Sequence, residues 1–350
     1  MPDASLRRAV GPAVWYGDEM ARRDDWIVTL TGEHLAELQA AAHSLISSGT
    51  KLSDVKRDSV MLPGLDAMLA QIENDVVRGR GFVLLRGLPV EDWGLELTAC
   101  AYWLIGSRLG DAVPQNAAGH LLGHVLDLGN DPDSPLTRIY TTAAAQEFHT
   151  DSCDIVGLLC LRPARKGGAS SIASSTTIYN EIVRTRPELA AVLMQPFTVD
   201  RKGEIPIGKG TTYRLAVFHD FGGEIAAIYA RSFIRAAQER PETTRLTPAQ
   251  IEAMDLIDAL AASDRVRLDM DFRPGDIQLL HNHQILHART AYEDFADRKR
   301  RRHLLRLWLS ARNGRPLPPG FAERYGTVEP GAVRGGIRVP GIEPVVSLSP

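Results

Sequence analysis

From about residue 135 onward, short runs rich in leucine, β-branched and aromatic residues alternate with turn-forming residues. Turn signals such as Lys166-Gly-Gly168 and Pro274-Gly-Asp276 separate many of these runs. Many short strands with few helices favour a sandwich or jelly roll over a parallel α/β sheet. The predicted strands are TRIYTT (137–142), DIVGLLCL (154–161), YRLAVFHDF (213–221), EIAAIYARSFI (224–234), RVRLDMDF (265–272), DIQLLHN (276–282) and RHLLRLWLSAR (302–312).

Helical patterns dominate the first third of the chain. Residues 31–49, 62–81 and 91–110 carry apolar faces with helix boundary signals, including Thr31 and Asp92 as predicted N-caps. Between them, GFVLLRGLP (81–89) predicts a buried strand. Two later helices are expected at 176–194 and 248–262, the second beginning with a capping box from Thr247 to Gln250.

The whole chain of 350 residues is expected to form a single domain, because no low-complexity linker or internal repeat divides it. We predict a mostly helical part at 1–134, a β core at 135–312 and an extended C-terminal tail at 313–350. The predicted fold class is therefore mainly β with helical elaborations (α+β).

Composition excludes several classes of partner. A formal charge of −3, from 40 basic and 43 acidic residues, gives no electrostatic reason to expect nucleic acid or an anionic membrane. No segment has the length of a membrane span or the core of a signal peptide. Three cysteines without a CxxC pair argue against a disulfide scaffold and fit a reducing cytoplasm, where we expect the protein to act. A homo-oligomer remains open.

The segment EFHTD places His149 two residues before Asp151, at the start of an apolar run. With 10 histidines and 43 acidic residues, such a spacing also arises by chance, so the motif alone is weak. In an extended strand, however, positions i and i+2 face the same side and can hold one ion together. An imidazole and a carboxylate without thiolate favour iron or a similar divalent metal over structural zinc.

A third ligand is expected from a distant strand. HNHQILH (281–287) offers His281, His283 and His287 as candidates. Further along, Arg302 and Arg306 share one face of a predicted strand with Trp308, whereas His303 faces the other way. An arginine between leucines is expected to have a buried anionic partner, and a guanidinium binds a carboxylate bidentately.

These segments together resemble one family. FHTDSCDIVGLLCLRPARKGG, GDIQLLHNHQILHARTAYEDF and RRHLLRLWLSARNGRPLP are similar to the taurine/chlorophenoxyacetate dioxygenase superfamily (TauD/TfdA) of iron(II)/2-oxoglutarate oxygenases. The resemblance covers about residues 81–313. It implies a double-stranded β-helix (a jelly roll of the clavaminate synthase-like type), with Fe(II) as the metal and 2-oxoglutarate and O₂ as cosubstrates.

The resemblance also implies roles for individual residues. His149, Asp151 and His287 would hold the metal, with His281 and His283 as turn or pocket-wall residues. Arg302, and Ser170 in the KGGAS turn, would bind the far carboxylate of 2-oxoglutarate. Arg306 would lie nearer the metal or the substrate, although these two arginine roles could be exchanged.

The expected reaction is hydroxylation of an unactivated C–H bond of a small polar molecule, with decarboxylation of 2-oxoglutarate to succinate and CO₂. An intact Asp151 argues against halogenation, but desaturation, epimerisation and ring formation stay open. Arg306 and Arg231 are candidate contacts for a substrate anion. The alternatives are a metal-binding, cupin-like isomerase or hydrolase that does not use 2-oxoglutarate, and a binding protein without catalysis.

Overall fold

The structure is a computed structural model that describes residues 6–132, 134, 137–206 and 208–350. Residue 135, where the β core was predicted to begin, and residues 1–5 lie outside the described residues. In the described part, helices and strands are interleaved along the chain and not separated into two halves.

The helices are α1 (Gly17–Met20), α2 (Gly32–Ser47), α3 (Pro63–Val77), α4 (Val90–Leu109), α5 (Ser175–Thr185), α6 (Pro187–Leu193), α7 (Arg231–Gln238), α8 (Pro248–Ala262) and α9 (Ala322–Tyr325). The strands are β1 (Ile27–Thr29), β2 (Phe82–Arg86), β3 (Asp111–Ala112), β4 (Leu122–Val125), β5 (Gln146–His149), β6 (Ile155–Arg162), β7 (Lys166–Gly167), β8 (Ser170–Ser174), β9 (Phe197–Asp200), β10 (Thr212–Leu215), β11 (Phe218–Phe221), β12 (Glu224–Ala227), β13 (Arg267–Met270), β14 (Ile277–His281), β15 (Ile285–Arg289), β16 (Tyr292–Glu293) and β17 (His303–Ser310).

Two sheets carry the architecture. The larger has the order β1-β2-β14-β6-β17-β3, with β4 also paired to β17, and the smaller has the order β13-β8-β15-β5. Apart from the parallel β1–β2 pair, their pairings are antiparallel. One hydrophobic cluster joins side chains of both sheets, including Phe82 and Trp308 from the larger and Ile172 and Ile285 from the smaller. The sheets therefore face each other across a shared core, in a fold of mixed sheets and helices.

Helices cover the outer faces of the two sheets. Buried side chains of α2, α3 and α4 form one cluster with the larger sheet, and those of α5, α6 and α8 form another that reaches the smaller sheet. The first 134 residues also contribute β1 to β4 to the larger sheet. In this part, residues in helices outnumber residues in strands, and the part completes the β core as well as covering it.

Most predicted helices are present, with local corrections. Thr31 accepts the backbone N–H of His34, and the Thr247–Gln250 capping box forms as expected. Asp92 is not the N-cap of α4, because the helix already begins at Val90. The helix predicted at 176–194 is broken at Arg186, since the residue before Pro187 is driven out of the α region.

Two predicted strands are wrong in whole or in part. Residues 139–141 form a 3₁₀ helix. The guanidinium of Arg289 binds the carbonyls of Ile139, Thr142 and Ala144, so these groups are not available to a sheet. The run at 224–234 ends as strand β12 at Ala227, and its remainder enters α7.

The C-terminal tail is bound to His124 of β4, which is linked to His303 of β17 through ring nitrogens. His124 Nε2 lies 3.0 Å from the carbonyl of Ser347, which can only accept, so this nitrogen donates. His124 Nδ1 then accepts from His303 Nε2 at 2.8 Å, and His303 Nδ1 accepts from Arg162 Nη2 at 3.3 Å. The two bonds accepted at Nδ1 require neutral imidazoles, because a protonated ring has no acceptor.

We expect this arrangement to make the protein sensitive to acid. Burial, and then the neighbouring His124, lower the pKa of His303 from 6.5 to about 3. Between these values the unfolded chain binds a proton at His303 that the folded chain does not, so stability falls as the pH drops. The loss is up to about 1.4 kcal/mol per pH unit. Urea unfolding at about pH 7.5 and about pH 5 should show a smaller difference for His303→Gln than for the parent.

The exposed His43 provides the matched control. His43→Gln should leave the pH dependence of the unfolding free energy unchanged. An equal dependence in the parent and His303→Gln would contradict the assignment of this titration to His303.

Two further findings bear on composition. Of the helices in the described residues, none has both the length and the apolar character needed to cross a bilayer. Cys100, Cys153 and Cys160 are buried free thiols.

Candidate metal centre

Three side chains that are far apart in sequence meet at one end of the smaller sheet. His149 ends β5 and is paired in register with His287 of β15. Asp151 Oδ1 lies 3.7 Å from His149 Nε2, and Asp151 Oδ2 lies 3.6 Å from His287 Nε2. Their candidate ligand atoms all lie within 4.8 Å of one another. Two imidazoles and one carboxylate on one side of a site are the donor set of non-haem iron centres with open positions.

The sequence predicted that Asp151 continues the strand of His149. In the structure, hydrogen bonds from side chains hold Asp151 instead. β5 ends at His149, and Asp151 lies in the following loop. Its backbone N–H donates to Asn282 Oδ1 at 2.7 Å, and Asn282 Nδ2 donates back to its carbonyl at 2.5 Å. Trp308 Nε1 donates to its carboxylate at 2.9 Å. Asn282 begins the NHQILH segment. The motif that supplies the ligand His287 therefore also holds the backbone of the ligand Asp151.

The tautomer of His149 suits a metal ligand. Its Nδ1 lies 2.8 Å from the carbonyl of Glu147, so Nδ1 carries the proton and Nε2 keeps its lone pair facing the site. Burial, and then the proximity of His287, lower the pKa of His149 to about 4. The ring is therefore neutral at physiological pH, which is the form that binds metal.

Gln146 contacts the nitrogen that an ion would need. Its Nε2 lies 2.9 Å from His149 Nε2, so the amide and a metal compete for one lone pair. We expect Gln146→Ala to bind Fe(II) or Mn(II) as tightly as the parent or several-fold tighter, in a competitive metal titration. Gln71→Ala, which removes an exposed amide bound to Asp75, is the control. A tenfold or greater loss of affinity in Gln146→Ala would instead make Gln146 a support of the metal site.

The charge of Asp151 is strongly favoured. Burial alone would raise its pKa, but Arg306 and the two histidines hold that pKa well below its usual range. Arg306 Nη1 lies 3.7 Å from Asp151 Oδ2. Gln115 accepts from Arg306 Nε at 2.7 Å and donates to its carbonyl at 2.7 Å, which fixes the guanidinium. No sequence signal pointed to Gln115, because it lies in an irregular segment.

Arg302 precedes β17 and lies four residues from Arg306, which is about 13 Å along a strand. Its side chain is buried, and Nη1 has no hydrogen-bond partner among the described residues. Arg289 is also buried, and its Nε and Nη1 likewise have no hydrogen-bond partner among the described residues. Both guanidinium groups lie about 5 Å from the Tyr292 ring, at 5.1 Å and 4.9 Å. Asp294 accepts the backbone N–H of Arg302 at 2.8 Å, but neither guanidinium forms a salt bridge among the described residues.

Gly168 has no side chain, and Arg302 lies against it in the space that a side chain would take. It has a φ of +72°, and a Cβ there would lie 3.1 Å from Arg302 Nε. The KGG turn is therefore the wall against which Arg302 packs. This contact links the turn identified in the sequence to the predicted cosubstrate arginine.

The remaining predicted site residues differ in their surroundings. Ser170 is buried on β8 next to Arg289 in register, and its hydroxyl is hydrogen-bonded to Gln278. Arg231 lines the cavity beside the metal site, but its guanidinium donates to Asp255 and Asp258 at 2.5 Å each. Those two carboxylates neutralise Arg231, so the structure corrects its expected role as a free contact for a substrate anion.

The other histidines lie outside the ligand cluster. His281 and His283 are fully buried at the end of β14, and His283 Nε2 lies 2.9 Å from Asp154. His287, not either of these, faces Asp151. The structure thus resolves the choice that the sequence left among three histidines.

A cavity of about 440 Å³ opens beside the metal centre. His149, Asp151, Arg306 and Trp308 form its inner wall. This volume is in the range of small-molecule sites. A His/Asp/His centre in the wall of such a cavity is the donor set of mononuclear non-haem iron enzymes.

Comparison with known proteins gives the family. Residues 50–308 match the model of the taurine catabolism dioxygenase TauD, TfdA family. FR-33289 synthase of Streptomyces rubellomurinus (strain ATCC 31215) is 31% identical over 336 residues, covering 93% of this chain and 97% of that protein. The chain therefore belongs to the TauD, TfdA family and is an iron(II)/2-oxoglutarate-dependent dioxygenase.

Two solved structures share the fold. Asparagine oxygenase in complex with Fe(II), 3-hydroxyasparagine and succinate aligns with a TM-score of 0.64 at 18% identity, covering 81% of this chain and 93% of that one. The non-haem iron oxygenase OrfP in complex with iron and α-ketoglutaric acid aligns with a TM-score of 0.61 at 14% identity, covering 81% and 94%.

Proposed function

We propose that the protein hydroxylates an unactivated C–H bond of a small polar molecule while decarboxylating 2-oxoglutarate to succinate and CO₂. His149, Asp151 and His287 hold iron(II) within a double-stranded β-helix, and Arg302 holds the far carboxylate of 2-oxoglutarate. We also propose that the protein acts in the cytoplasm.

The observation that carries this proposal is the pair of buried arginines. Arg289 and Arg302 both present unpaired N–H groups to a buried region. Burial, and then the neighbouring Arg302, lower the pKa of Arg289 to about 10. Two buried cations are costly without an anion, and a carboxylate can accept from both. A metal-dependent isomerase or hydrolase would have no use for this anion site.

In this proposal, each residue of the site has a separate role. Iron(II), when bound, supplies the activation of O₂ and the oxidation of the C–H bond. His149 and His287 offer neutral nitrogens. Asp151 offers a carboxylate that accepts from Trp308, and Asn282 holds the Asp151 backbone. Arg302 orients 2-oxoglutarate from its far end. Arg306 lies beside Asp151 and faces the cavity, which suits the metal-bound end of 2-oxoglutarate or the substrate.

Ser170 has a smaller part in the proposal. Its hydroxyl lies next to Arg289 across the β8–β15 pairing, and it would have to leave Gln278 to reach the cosubstrate. We therefore assign the main contacts to the two guanidinium groups. Hydroxylation is supported by the similarity to asparagine oxygenase, whose complex contains a hydroxylated amino acid and succinate.

Thermal unfolding under anaerobic conditions tests the proposal. Fe(II) with 2-oxoglutarate should stabilise the protein by about 2.7 kcal/mol at a hundredfold excess over Kd, more than either alone. Pyruvate is the matched ligand, since it keeps the 2-oxo acid but lacks the far carboxylate, and it should add little to the effect of Fe(II). No added stabilisation by 2-oxoglutarate in the presence of Fe(II) would contradict the proposal.

A further inference from the structure

Three basic side chains in the cavity wall lie near aromatic rings. Arg138 and Lys202 both lie over the ring of Phe233, with the guanidinium carbon 5.6 Å and the ammonium 4.8 Å from its centroid. Arg324 lies 5.9 Å from the ring centroid of Tyr213. All three basic residues line the cavity. We call Arg138, Lys202 and Arg324 the cationic wall.

The positive charge of this wall is only partly matched. Arg138 is paired with Glu204, at 3.1 Å. Within the described residues, Lys202 and Arg324 form no salt bridge. Of the acidic residues that line the cavity nearby, Glu147 is bound by Arg235, and Glu239 is exposed to solvent. Glu204 and Glu239 together leave the three basic groups with a surplus of about one positive charge, and Lys202 and Arg324 without a salt-bridge partner among the described residues.

Lys202 occupies a backbone conformation that its side chain disfavours. Its φ is +48°, and across the described ranges it is the one residue other than glycine in the left-handed region. The carboxylate of Asp200 accepts its backbone N–H and holds this turn. Such strain persists where the surroundings fix it, and it clusters at ligand-binding sites. Here it accompanies an ammonium group that lies over Phe233 at the cavity wall.

The electrostatics of neighbouring groups agree with this geometry. Glu204 is buried, and burial raises its pKa, against the opposing influence of Arg138, Arg324, Arg306 and Lys202. Burial, and then Arg138, lower the pKa of Lys202. The basic groups thus converge closely enough to repel one another, and a single buried carboxylate does not balance them.

We propose that the cationic wall binds a doubly charged phosphoryl group of the substrate, a phosphate monoester or a phosphonate. The inference rests on the proposed function, since it names the substrate class of the same site. A tetrahedral dianion offers three oxygens and two charges to the three basic groups, whereas a carboxylate offers two oxygens and one charge. Anchored there, the substrate extends its carbon skeleton across the cavity towards His149 and Asp151.

Calorimetric titration of the metal-free full-length chain with methylphosphonate and with methyl phosphate tests this inference. We expect both to bind at least tenfold more tightly than acetate or methanesulfonate, which carry one charge. Binding of only one of the two phosphorus compounds would still support the site and would identify the source of the group. Equal binding of acetate would overturn the inference.

Three variants make the test specific. Lys202→Met should weaken methylphosphonate binding about tenfold or more. Lys202→Gly should do the same while melting at or above the parent temperature, because glycine tolerates a positive φ. Lys209→Met is the matched control, since Lys209 lies in the same segment and its ammonium donates to Glu323 at 2.9 Å. Unchanged affinity in both Lys202 variants would overturn the inference.

Paramagnetic broadening of the ³¹P signal by Mn(II) then separates this inference from the proposed function. Broadening in the presence of 2-oxoglutarate, lost in Lys202→Met, places the phosphoryl group in the cavity of the metal centre and supports both. Calorimetric binding without broadening, in protein shown to hold Mn(II), overturns the shared cavity. Failure to hold Mn(II) or 2-oxoglutarate contradicts the proposed function, while the calorimetric result still decides whether the wall binds a dianion.

Discussion

Replacing Asp151 with alanine is expected to abolish iron-dependent turnover of 2-oxoglutarate. The variant loses the one carboxylate among three ligands, and it leaves Arg306 beside two histidines without the charge that balances it. Loss of an outer-shell partner of a metal ligand already costs about 10- to 100-fold in affinity or activity. We therefore expect a loss on the order of 10³-fold or more in succinate formation, together with loss of tight Mn(II) binding.

Trp308→Phe is the graded companion to this variant. It removes the N–H that donates to Asp151 Oδ2 but keeps the carboxylate and most of the apolar contact. We expect about 10- to 100-fold weaker metal binding for this change. Equal effects of Asp151→Ala and Trp308→Phe, or full activity of Asp151→Ala, would remove Asp151 from the ligand set.

Replacing Arg302 with methionine is expected to separate cosubstrate binding from metal binding. Truncating one partner of a buried, hydrogen-bonded charge pair costs 2–5 kcal/mol, so the KM for 2-oxoglutarate should rise about 30-fold or more. Mn(II) affinity should stay within a few-fold of the parent, because Arg302 lies four residues before Arg306, the arginine beside Asp151, which is about 13 Å along an extended chain. Steady-state kinetics and a metal titration measure the two effects.

The same substitution should have an unusual effect on stability. Arg302 is buried without a salt bridge among the described residues, so methionine removes a costly charge from the protein that lacks 2-oxoglutarate. Arg302→Met should therefore melt at or above the parent temperature without ligands, and gain less from 2-oxoglutarate. Arg300→Met, at an exposed position two residues before it, is the control and should change neither quantity. Strong destabilisation of the ligand-free variant would instead make Arg302 a structural residue.

The site was predictable from sequence where short spacing and motif order carry the information. His149 and Asp151 come from a two-residue spacing, and the order of His287 and Arg302 behind them comes from the family resemblance. The structure then explains the choice of His287, because strand pairing sets its Cα opposite that of His149. It also places Arg306 beside Asp151 and Arg302 farther along, which favours the far carboxylate for Arg302.

The residues that the sequence did not reveal act through tertiary contacts. Gln115 has no periodic context, yet it fixes Arg306 from an irregular segment 191 positions away. Arg289 converts the β-rich pattern of residues 137–142 into a 3₁₀ turn by binding its carbonyls. Propensity cannot register such contacts, because the partner is distant in the chain.

The errors in the predicted ends of helices and strands have more local causes. The predicted strand at 224–234 overlaps the start of α7, where Phe233 and Ile234 precede Ala237 by four and three residues. The prediction of one long strand overlooked this helical spacing. Proline at 187 separates α5 from α6, and the restriction on the preceding residue was sufficient to predict the break. The cationic wall combines three segments of the chain, so only the fold brings Arg138, Lys202 and Arg324 together.

Succinate formation is the most direct test of the central claim. Anaerobically purified protein is given Fe(II), ascorbate and 2-oxoglutarate, then exposed to O₂ beside the Asp151→Ala variant. The account predicts succinate from the parent, even through turnover uncoupled from a substrate, and none above background from the variant. Equal succinate from both proteins, or no succinate from a parent that also fails to bind 2-oxoglutarate, would contradict it.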